Sequence, residues 1–336
     1  MFEILKNLCN IDGTSGDEVA VRDRIIEYID GYCDYKTDAL GNIIVFKKGK
    51  KEAVKKVMLD AHMDEVGLII TSVTPDGFLK FKTVGGIDTS VLLARQVTVN
   101  GEVNGVICCK PIHLLSAEEG KKLPKPETLY IDIGAKDKNQ ALENVSVGDC
   151  AVMCGQFCEC GDRILSKALD DRVGCAVLID LIRNESEYDF YASFSGREGG
   201  GLSGAKTATY AINPDSAIVL EGTTAADIAD VPDDKRVCIQ GNGVAVSFMD
   251  RSTVYDRAYY KYALQSKVKC QSKSAVTGGN DSGAVHLSRE GVRTIALSVP
   301  CRYIHSASSV AFKEDIISAR DLALYMLNGI ASGEID

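Results

Sequence analysis

Residues 57–67, VMLDAHMDEVG, run from a short apolar strand into a histidine and an aspartate that stand two residues apart. In an extended chain this spacing places His62 and Asp64 on one face. A neutral imidazole there can bind a metal ion, and a nearby carboxylate can accept the other imidazole N–H and fix its tautomer. The alternative is a capped strand end with a surface histidine, which an isolated H-x-D favours because so short a motif carries little information.

The composition indicates a globular protein without affinity for nucleic acid or membranes. The 336 residues are 45% hydrophobic and 25% charged, and they suffice for two domains or for one large domain with an insertion. The formal net charge of −9 argues against a nucleic-acid binder, which normally has a basic face. No apolar run reaches membrane-spanning length, and the first residues lack a secretory signal pattern. We therefore expect a cytoplasmic protein.

Twelve cysteines in such a chain indicate free thiols in a reducing compartment. Four of them, Cys150, Cys154, Cys158 and Cys160, lie close enough in sequence to be weighed as a structural zinc site. Their spacing is not the paired C-x-x-C of zinc ribbons, and the stretch has the pattern of a strand. Ordinary buried thiols are therefore favoured over a metal cluster.

Helical and strand patterns alternate at both ends of the chain, whereas the middle is rich in strands. From residue 69 to residue 153, short β-branched stretches are separated by turns such as residues 74–77 and 100–101, and only residues 116–122 look helical. This texture is typical of a small barrel or sandwich. We predict an α/β fold in which a mixed-sheet catalytic domain (residues 1–67 and 160–336) contains an inserted small β-barrel domain (residues 68–159).

Acidic and imidazole side chains recur where strands are predicted to end. His62, Glu221 and His305 lie at or just beyond such ends, Asp170 precedes a helix, and Glu198 lies on a glycine-rich turn after a strand. In open α/β sheets, ligand sites collect beyond the carboxyl ends of the strands. These side chains, if they converge there, would suit zinc, cobalt or manganese.

Each of these residues also has a plain structural interpretation. Asp170 is well placed to cap the helix that follows it, and Glu221 could simply terminate its strand. Asp281, in a glycine-rich segment, is interpreted as a turn residue near the substrate rather than as a ligand.

Eight ordered segments resemble the M42 metallopeptidases, a family of cytoplasmic aminopeptidases that includes glutamyl and tetrahedral aminopeptidases and some members once labelled endoglucanases. The segments are residues 15–18 (SGDE), 61–67 (AHMDEVG), 84–86 (VGG), 110–113 (KPIH), 130–135 (YIDIGA), 168–174 (ALDDRVG), 201–205 (GLSGA) and 302–306 (RYIHS). So many matches in order are specific for the fold and less so for the activity.

The resemblance implies a zinc-peptidase-like catalytic domain that binds up to two divalent ions, zinc or cobalt. Asp170 would bridge the two ions. His62 and Glu221 would hold one ion, and His305 would hold the other together with a second glutamate.

The resemblance further implies a hydrolase that releases N-terminal residues from peptide substrates. Glu198 would be the general base that deprotonates the attacking water, and Asp64 would orient His62. The inserted barrel would match the family's apical domain, which builds homo-oligomers that include dodecamers.

One position departs from the family pattern. The family has two consecutive glutamates before its Gly-Leu-x-Gly-Ala segment, the first as the base and the second as a metal ligand. Aligned without a gap, this chain reads Arg197-Glu198-Gly199. Gly199 offers no side-chain ligand, so the ion near His305 is expected to bind more weakly. Arg197 could point away from Glu198, or it could pair with Glu198 and lower the pKa of that base.

Three consequences of Gly199 stay open. Glu198 could become a ligand, water or a substrate group could complete the second metal site, or the chain could hold one ion or none. In the last case the protein would be a catalytically impaired relative that serves as a binding or scaffold subunit. A further alternative keeps hydrolysis but directs it to small acyl amides.

Overall fold

The structure is a computed structural model that describes residues 1–276 and 278–335. The α-helices of this part are α1 (Phe2–Cys9), α2 (Val19–Ile29), α3 (Lys138–Leu142), α4 (Leu169–Arg183), α5 (Ser203–Ile212), α6 (Arg257–Gln265), α7 (Ser282–Val285) and α8 (Lys313–Ala331). The strands are β1 (Asp34–Thr37), β2 (Ile43–Lys47), β3 (Val57–His62), β4 (Gly67–Val73), β5 (Leu79–Val84), β6 (Gln96–Val99), β7 (Val103–Cys108), β8 (Tyr130–Asp132), β9 (Cys150–Met153), β10 (Cys158–Cys160), β11 (Arg163–Ser166), β12 (Phe190–Ser195), β13 (Ser216–Thr224), β14 (Val244–Val246), β15 (Cys270–Ser272), β16 (Arg293–Arg302) and β17 (Ser309–Phe312).

A large mixed sheet forms the centre of the molecule. Its order is β1-β2-β12-β3-β13-β16-β17-β11-β10, and β14 joins it beside β16. The four neighbours β12, β3, β13 and β16 are parallel, whereas β2 and β17 border them in the antiparallel sense. Every residue of β3 is buried, as expected for an interior parallel strand that is covered on both faces. The carboxyl ends of the four parallel strands therefore open on one edge of the sheet.

Helices cover both faces of this sheet. On one face α1, α4 and α8 contribute buried side chains such as Leu5, Leu178 and Leu322 to the main core. On the other face α5 and α7 contribute a smaller cluster that includes Ala208 and Val285. Because α4 lies between the sheet and other helices, it is apolar on nearly all sides.

A closed six-stranded barrel is the second substructure of the molecule. Its strands are all antiparallel neighbours in the order β4-β5-β8-β7-β6-β9. The barrel interior has its own hydrophobic core, which includes Ile70, Phe81, Val97 and Ile131. Closure pairs every strand of the barrel and leaves no open sheet edge.

The predicted fold class is confirmed, with local differences. The stretch at residues 116–122 forms only the short 3₁₀ turn Glu119–Lys121, and α3 was not predicted. The strand expected to end near Glu221 continues to Thr224, because residues 222–224 keep pairing with β16. The proposed domain boundaries stay a prediction, although the barrel strands all lie between Gly67 and Met153. No helix in the described part of the chain is long and apolar enough to cross a membrane.

Candidate metal centre

The parallel strands deliver four of the predicted residues to one edge of the sheet. His62 is the last residue of β3 and is paired in register with Ser195, the last residue of β12. Glu198 follows three residues later. Glu221 lies within β13 rather than at its end, and His305 follows the end of β16. These positions match the crevice beyond the carboxyl ends of the strands in open α/β sheets.

His62, Asp170 and Glu221 form a compact group of potential metal ligands. The His62 Nε2 atom lies 3.7 Å from Asp170 Oδ1 and 3.7 Å from Glu221 Oε2. One donor atom from each residue lies within 4.8 Å of the others, and no other such group of three is found in residues 1–276 and 278–335. Imidazole nitrogen and carboxylate oxygen are donors that zinc and similar divalent ions bind well.

Asp170 lies between two histidines and presents a different oxygen to each. Its Oδ1 faces His62 and accepts a hydrogen bond from the Gly222 N–H over 3.0 Å. Its Oδ2 lies 3.2 Å from Nε2 of His305. The other ring nitrogen of His305, Nδ1, lies 2.7 Å from the Gly86 carbonyl, so the ring is held from both sides. The Asp170 carboxylate therefore lies between the His62 and His305 rings.

The electrostatics of the cluster favour a bound cation. Burial raises the pKa of Glu221 well above its usual range, and it raises the pKa of Glu198 to about 7 despite the opposing effect of His62. Burial disfavours protonated His62, but the nearby carboxylates of Asp170, Asp64 and Glu221 raise its pKa. The cluster therefore contains more carboxyl groups than positively charged groups, and a divalent ion would neutralise the excess negative charge. The residues present thus fit a divalent metal ion.

Asp64 makes its main contacts with the loop that carries Glu198. The strand ends at His62, so the expected shared strand face does not exist. Nδ1 of His62 lies 3.0 Å from the Asp64 backbone carbonyl and 3.6 Å from its carboxylate. The carboxylate instead accepts hydrogen bonds from the N–H groups of Glu198 and Gly199, over 3.0 and 3.1 Å, and from the Ser15 hydroxyl. Asp64 therefore connects the His62 segment to the Glu198 loop.

Glu18 and Asn42 complete a clamp on the same loop. The Arg197 N–H donates to Glu18 Oε1 over 2.8 Å, and the Gly196 N–H donates to Asn42 Oδ1 over 2.9 Å. Two further N–H groups, those of residues 198 and 199, donate to Asp64. Side chains therefore accept hydrogen bonds from all four successive N–H groups of residues 196–199. Sequence reasoning noted residues 15–18 as a motif but gave them no role. The contacts join segments that are far apart in sequence, so sequence reasoning could not predict them. The only available indication was the match of residues 15–18 to the family motif.

The position of Gly199 is tightly packed. A Cβ atom there would lie 2.7 Å from Ser15 Oγ and 3.2 Å from the Gly85 Cα.

Arg197 has a left-handed backbone, with φ of 59°. Within the described residues the Nε atom of Arg197 is buried without a hydrogen-bond partner, and Arg197 is not among the main influences on the pKa of Glu198.

Asp281 is more than a turn residue. It is almost fully buried, and its carboxylate accepts a hydrogen bond from Ser195 Oγ over 2.8 Å. Its backbone N–H donates to Glu221 Oε1 over 3.2 Å and so fixes that side chain. Burial raises the pKa of Asp281, which the negative charge of Asp60 raises further.

The four clustered cysteines of the sequence do not form a metal site in the described part of the chain. Cys150 belongs to barrel strand β9, whereas Cys158 and Cys160 lie on β10 at the edge of the large sheet. Cys154, Cys158 and Cys160 are exposed and Cys150 is half-buried, so the expectation of buried thiols is wrong. The Cys154 thiol contacts the Thr98 hydroxyl. All four are free thiols.

A cavity of about 400 Å³ leads away from the clustered ligands. Its wall includes His62, Asp170, Glu198 and Glu221, and also Thr224 and Lys273. This volume lies in the range of small-molecule sites.

Comparison with known proteins identifies the family. The family model described as M42 glutamyl aminopeptidase matches residues 41–322. The chain belongs to the M42 peptidase family. This result confirms the resemblance inferred from the eight sequence segments.

Relatives of this chain align with it over nearly its whole length. A lysyl aminopeptidase of Pyrococcus furiosus is 30% identical, covering 97% of this chain and 96% of the relative. The structure of an aminopeptidase from Desulfurococcus kamchatkensis is 33% identical with a TM-score of 0.90, covering 96% and 92% of the two chains. The TET1 peptidase of Pyrococcus horikoshii, which can assemble into a tetrahedron or a large octahedral shell, is 33% identical with a TM-score of 0.83, covering 98% and 99%.

Proposed function

We propose that this M42 protein is a metal-dependent aminopeptidase that releases N-terminal residues from peptides. The observation that carries the proposal is the position of Asp170, which directs one carboxylate oxygen towards His62 and the other towards His305. The aminopeptidase relatives and the adjoining cavity support the same activity.

In this proposal His62, Asp170 and Glu221 hold one divalent ion, zinc or cobalt, and Asp170 with His305 contributes to a second. Such ions polarise a scissile carbonyl and lower the pKa of water. The task of Glu198 is to accept the proton of the attacking water. Its pKa of about 7, raised by burial, suits a general base that works near neutral pH.

Gly199 favours a second candidate function. With a glycine in place of the family's ligand glutamate, the ion beside His305 has only Asp170 and His305 as the assigned protein ligands. A chain that loses this ion would keep the fold and could serve as a binding or scaffold subunit. Hydrolysis of small acyl amides remains a third alternative, since the same ligands would serve it.

The first experiment measures metal content and turnover together. The protein is equilibrated with zinc or cobalt and desalted, the metal-to-protein ratio is determined, and aminoacyl and acylamino substrates are compared. We expect bound metal and cleavage of the aminoacyl compounds, with both abolished in His62→Ala and Asp170→Ala. Unchanged turnover in both variants would refute the ligand assignment. Retention of no metal would favour the scaffold function, and selective cleavage of acylamino compounds would favour the third alternative.

We further propose that the protein is a cytoplasmic homo-oligomer, such as a dodecamer, with residues 68–159 as its assembly domain. The tetrahedral and octahedral assemblies of the Pyrococcus horikoshii relative support this. In this chain Ile112, Leu114 and Leu123 are strongly exposed on the segment that follows β7. Light scattering coupled to size exclusion tests the proposal, and replacement of all three residues by serine should yield smaller assemblies.

A further inference from the structure

Asn42 is a buried amide that reaches the loop of the proposed base. Its side chain is completely buried, and its Oδ1 atom accepts the N–H of Gly196 over 2.9 Å. Gly196 is the first residue of the base loop, residues 196–199. The register of the sheet explains the contact, because β2 runs antiparallel to β12 with Ile43 opposite Phe194. Asn42, which directly precedes β2, therefore lies beside the end of β12, where the base loop begins.

The groups around the Asn42 amide permit only one orientation. Its Nδ2 atom lies 2.7 Å from Asp38 Oδ2 and 3.1 Å from the Gly204 carbonyl oxygen, and an ionised carboxylate and a carbonyl can only accept hydrogen bonds. The Thr207 hydroxyl accepts from the same nitrogen over 2.9 Å. On the opposite side, the backbone N–H of Gly196 can only donate. Asp38 and Gly204 therefore direct the amide oxygen towards Gly196.

Asp38 is itself fixed by the turn between β1 and β2. Its Oδ1 atom accepts the N–H groups of Leu40 and Asn42 over 2.9 and 3.1 Å. Its backbone N–H donates to the Asn42 carbonyl over 3.1 Å. One carboxylate oxygen thus belongs to the turn, and the other faces the Asn42 amide. A chain of contacts therefore runs from the turn through Asp38 and Asn42 to the base loop.

Gly196 is held from a second side by the first turn of α5. Its carbonyl accepts the N–H of Gly204 over 3.1 Å. A Cβ atom at Gly204 would lie 2.1 Å from this carbonyl oxygen and 2.4 Å from Asn42 Oδ1, so the helix approaches the loop as closely as a glycine allows. Gly196 is therefore a fixed point, and it lies two residues before Glu198.

We propose that Asn42, oriented by Asp38, is a positioning residue for the general base Glu198. This inference rests on the proposed aminopeptidase function, because it concerns the base of that reaction. A buried polar network in which every group is bonded favours one arrangement over its alternatives. Within the described residues, the side-chain hydrogen bonds of Asn42 and Asp38 reach none of the proposed metal ligands. Their loss should therefore reduce turnover and leave metal binding unchanged.

The experiment removes the contact in one variant and its orientation in another. Asn42→Ala deletes the acceptor for the Gly196 N–H. Asp38→Asn leaves Asn42 in place, but the new amino group must face either the Asn42 amide or the two N–H donors of the turn. Thr209→Val is the matched control. It removes a buried hydroxyl of α5 that donates to the Ala205 carbonyl over 2.6 Å and does not contact the base loop.

The values of kcat, KM, metal-to-protein ratio and melting temperature are measured for every variant. We expect Asn42→Ala and Asp38→Asn to lower kcat by about five- to tenfold, the size of one lost hydrogen bond, with KM and the metal ratio near the wild-type values. Thr209→Val should lower the melting temperature but retain kcat. Wild-type kcat in either of the first two variants, or a fall that matches a loss of metal, would overturn the inference. An equal fall in Thr209→Val would show a general effect of stability and would also overturn it.

Hydrogen exchange of the metal-loaded protein separates this inference from the proposed function, because it needs no turnover. A backbone N–H that loses its acceptor exchanges through more frequent local opening. We expect the N–H groups of the base loop to exchange faster in Asn42→Ala and Asp38→Asn than in the wild-type protein and in Thr209→Val. Unchanged exchange would refute the positioning role. Faster exchange in a protein that cleaves no peptide would support that role and contradict only the aminopeptidase function.

Discussion

The backbone N–H of Gly199 donates a hydrogen bond to the carboxylate of Asp64 over 3.1 Å. The same carboxylate accepts the N–H of Glu198, so the residue two positions after His62 holds the loop of the proposed base. Asp64 therefore links the position of the proposed base to that of His62, a proposed metal ligand.

Replacement of Asp64 by asparagine should disturb both functions of this contact. An amide can present one oxygen, but its NH₂ group would face one of the two backbone N–H donors. Partners that orient metal ligands typically change affinity or activity by about 10- to 100-fold when replaced. We expect a loss of that size in kcat/KM together with weaker metal binding, measured by kinetics and competition with a chelator. Wild-type values for both quantities would show that the contact has no functional weight.

Glu18 should act on the base loop without affecting the metal ions. Its carboxylate holds the Arg197 N–H and also accepts the Gly16 N–H over 2.7 Å. Both N–H groups donate to Oε1, which Glu18→Ala removes. We expect kcat to fall by about tenfold, the effect of one lost hydrogen bond to a charged group, with KM nearly unchanged. Glu18→Gln keeps one acceptor oxygen and should recover part of kcat.

The metal-to-protein ratio provides the control for Glu18. An unchanged ratio in Glu18→Ala would place the defect in the loop rather than in the ligands. A proportional loss of metal and activity would instead assign Glu18 a general structural role.

Glu198 can be distinguished from the ligands by one substitution. Glu198→Gln preserves the shape of the side chain but cannot accept a proton, so we expect kcat to fall by about 100-fold or more, the usual contribution of general base catalysis. Metal content should remain at the wild-type ratio, whereas His62→Ala should lower it. A loss of metal in Glu198→Gln would show that Glu198 has taken the ligand position that Gly199 leaves vacant.

The sequence predicts the positions of site residues that follow directly from a local pattern of apolar residues. The buried apolar run before His62 predicts an interior parallel strand, and parallel strands place their carboxyl ends together. The position of Glu221 was less predictable, because β13 continues through Gly222, Thr223 and Thr224 although the apolar run ends at residue 220. Backbone pairing with β16 determines the length of this strand. The length could therefore not be predicted from the hydrophobicity of the side chains.

The contacts that hold the site could not be predicted, because they join distant segments. Glu18 and Arg197 are 179 residues apart, and the Gly86 carbonyl that orients His305 lies 219 residues away in the chain.

The ion pair of Asp227 with Arg302 predicts a specific pH dependence of stability. The two Arg302 nitrogens Nε and Nη2 lie 2.8 and 2.9 Å from the Asp227 oxygens. Burial alone would raise the pKa of Asp227, but the Arg302 hydrogen bonds and the Gln240 N–H lower it. A depressed pKa in the folded state stabilises the protein above the unfolded value of about 4, and this stabilisation disappears as the pH falls further.

Asp227→Asn should therefore be destabilised at neutral pH and resemble the wild-type protein in acid. We expect a difference of about 1–3 kcal/mol at pH 7, the range for hydrogen bonds to charged groups. Thermal unfolding at pH 7 and at pH values below 4 measures it. A difference that stays constant across this range would show that the charge of Asp227 contributes nothing to stability.

Substitution of Gly199 tests whether the missing carboxylate limits metal binding. Gly199→Glu restores the ligand type found in the family, and Gly199→Ala is its control for the Cβ that would lie 2.7 Å from Ser15 Oγ. If the rest of the site is intact, the glutamate variant should hold more metal per chain than the wild-type protein and should be more active. The alanine variant should gain neither.

A second pair of variants adds Ser15→Ala, which removes the Ser15 hydroxyl that crowds the new Cβ, although the contact with the Gly85 backbone remains. Equal metal content in all variants would mean that Gly199 does not weaken the second site, and the reduced affinity expected from the sequence would then be wrong.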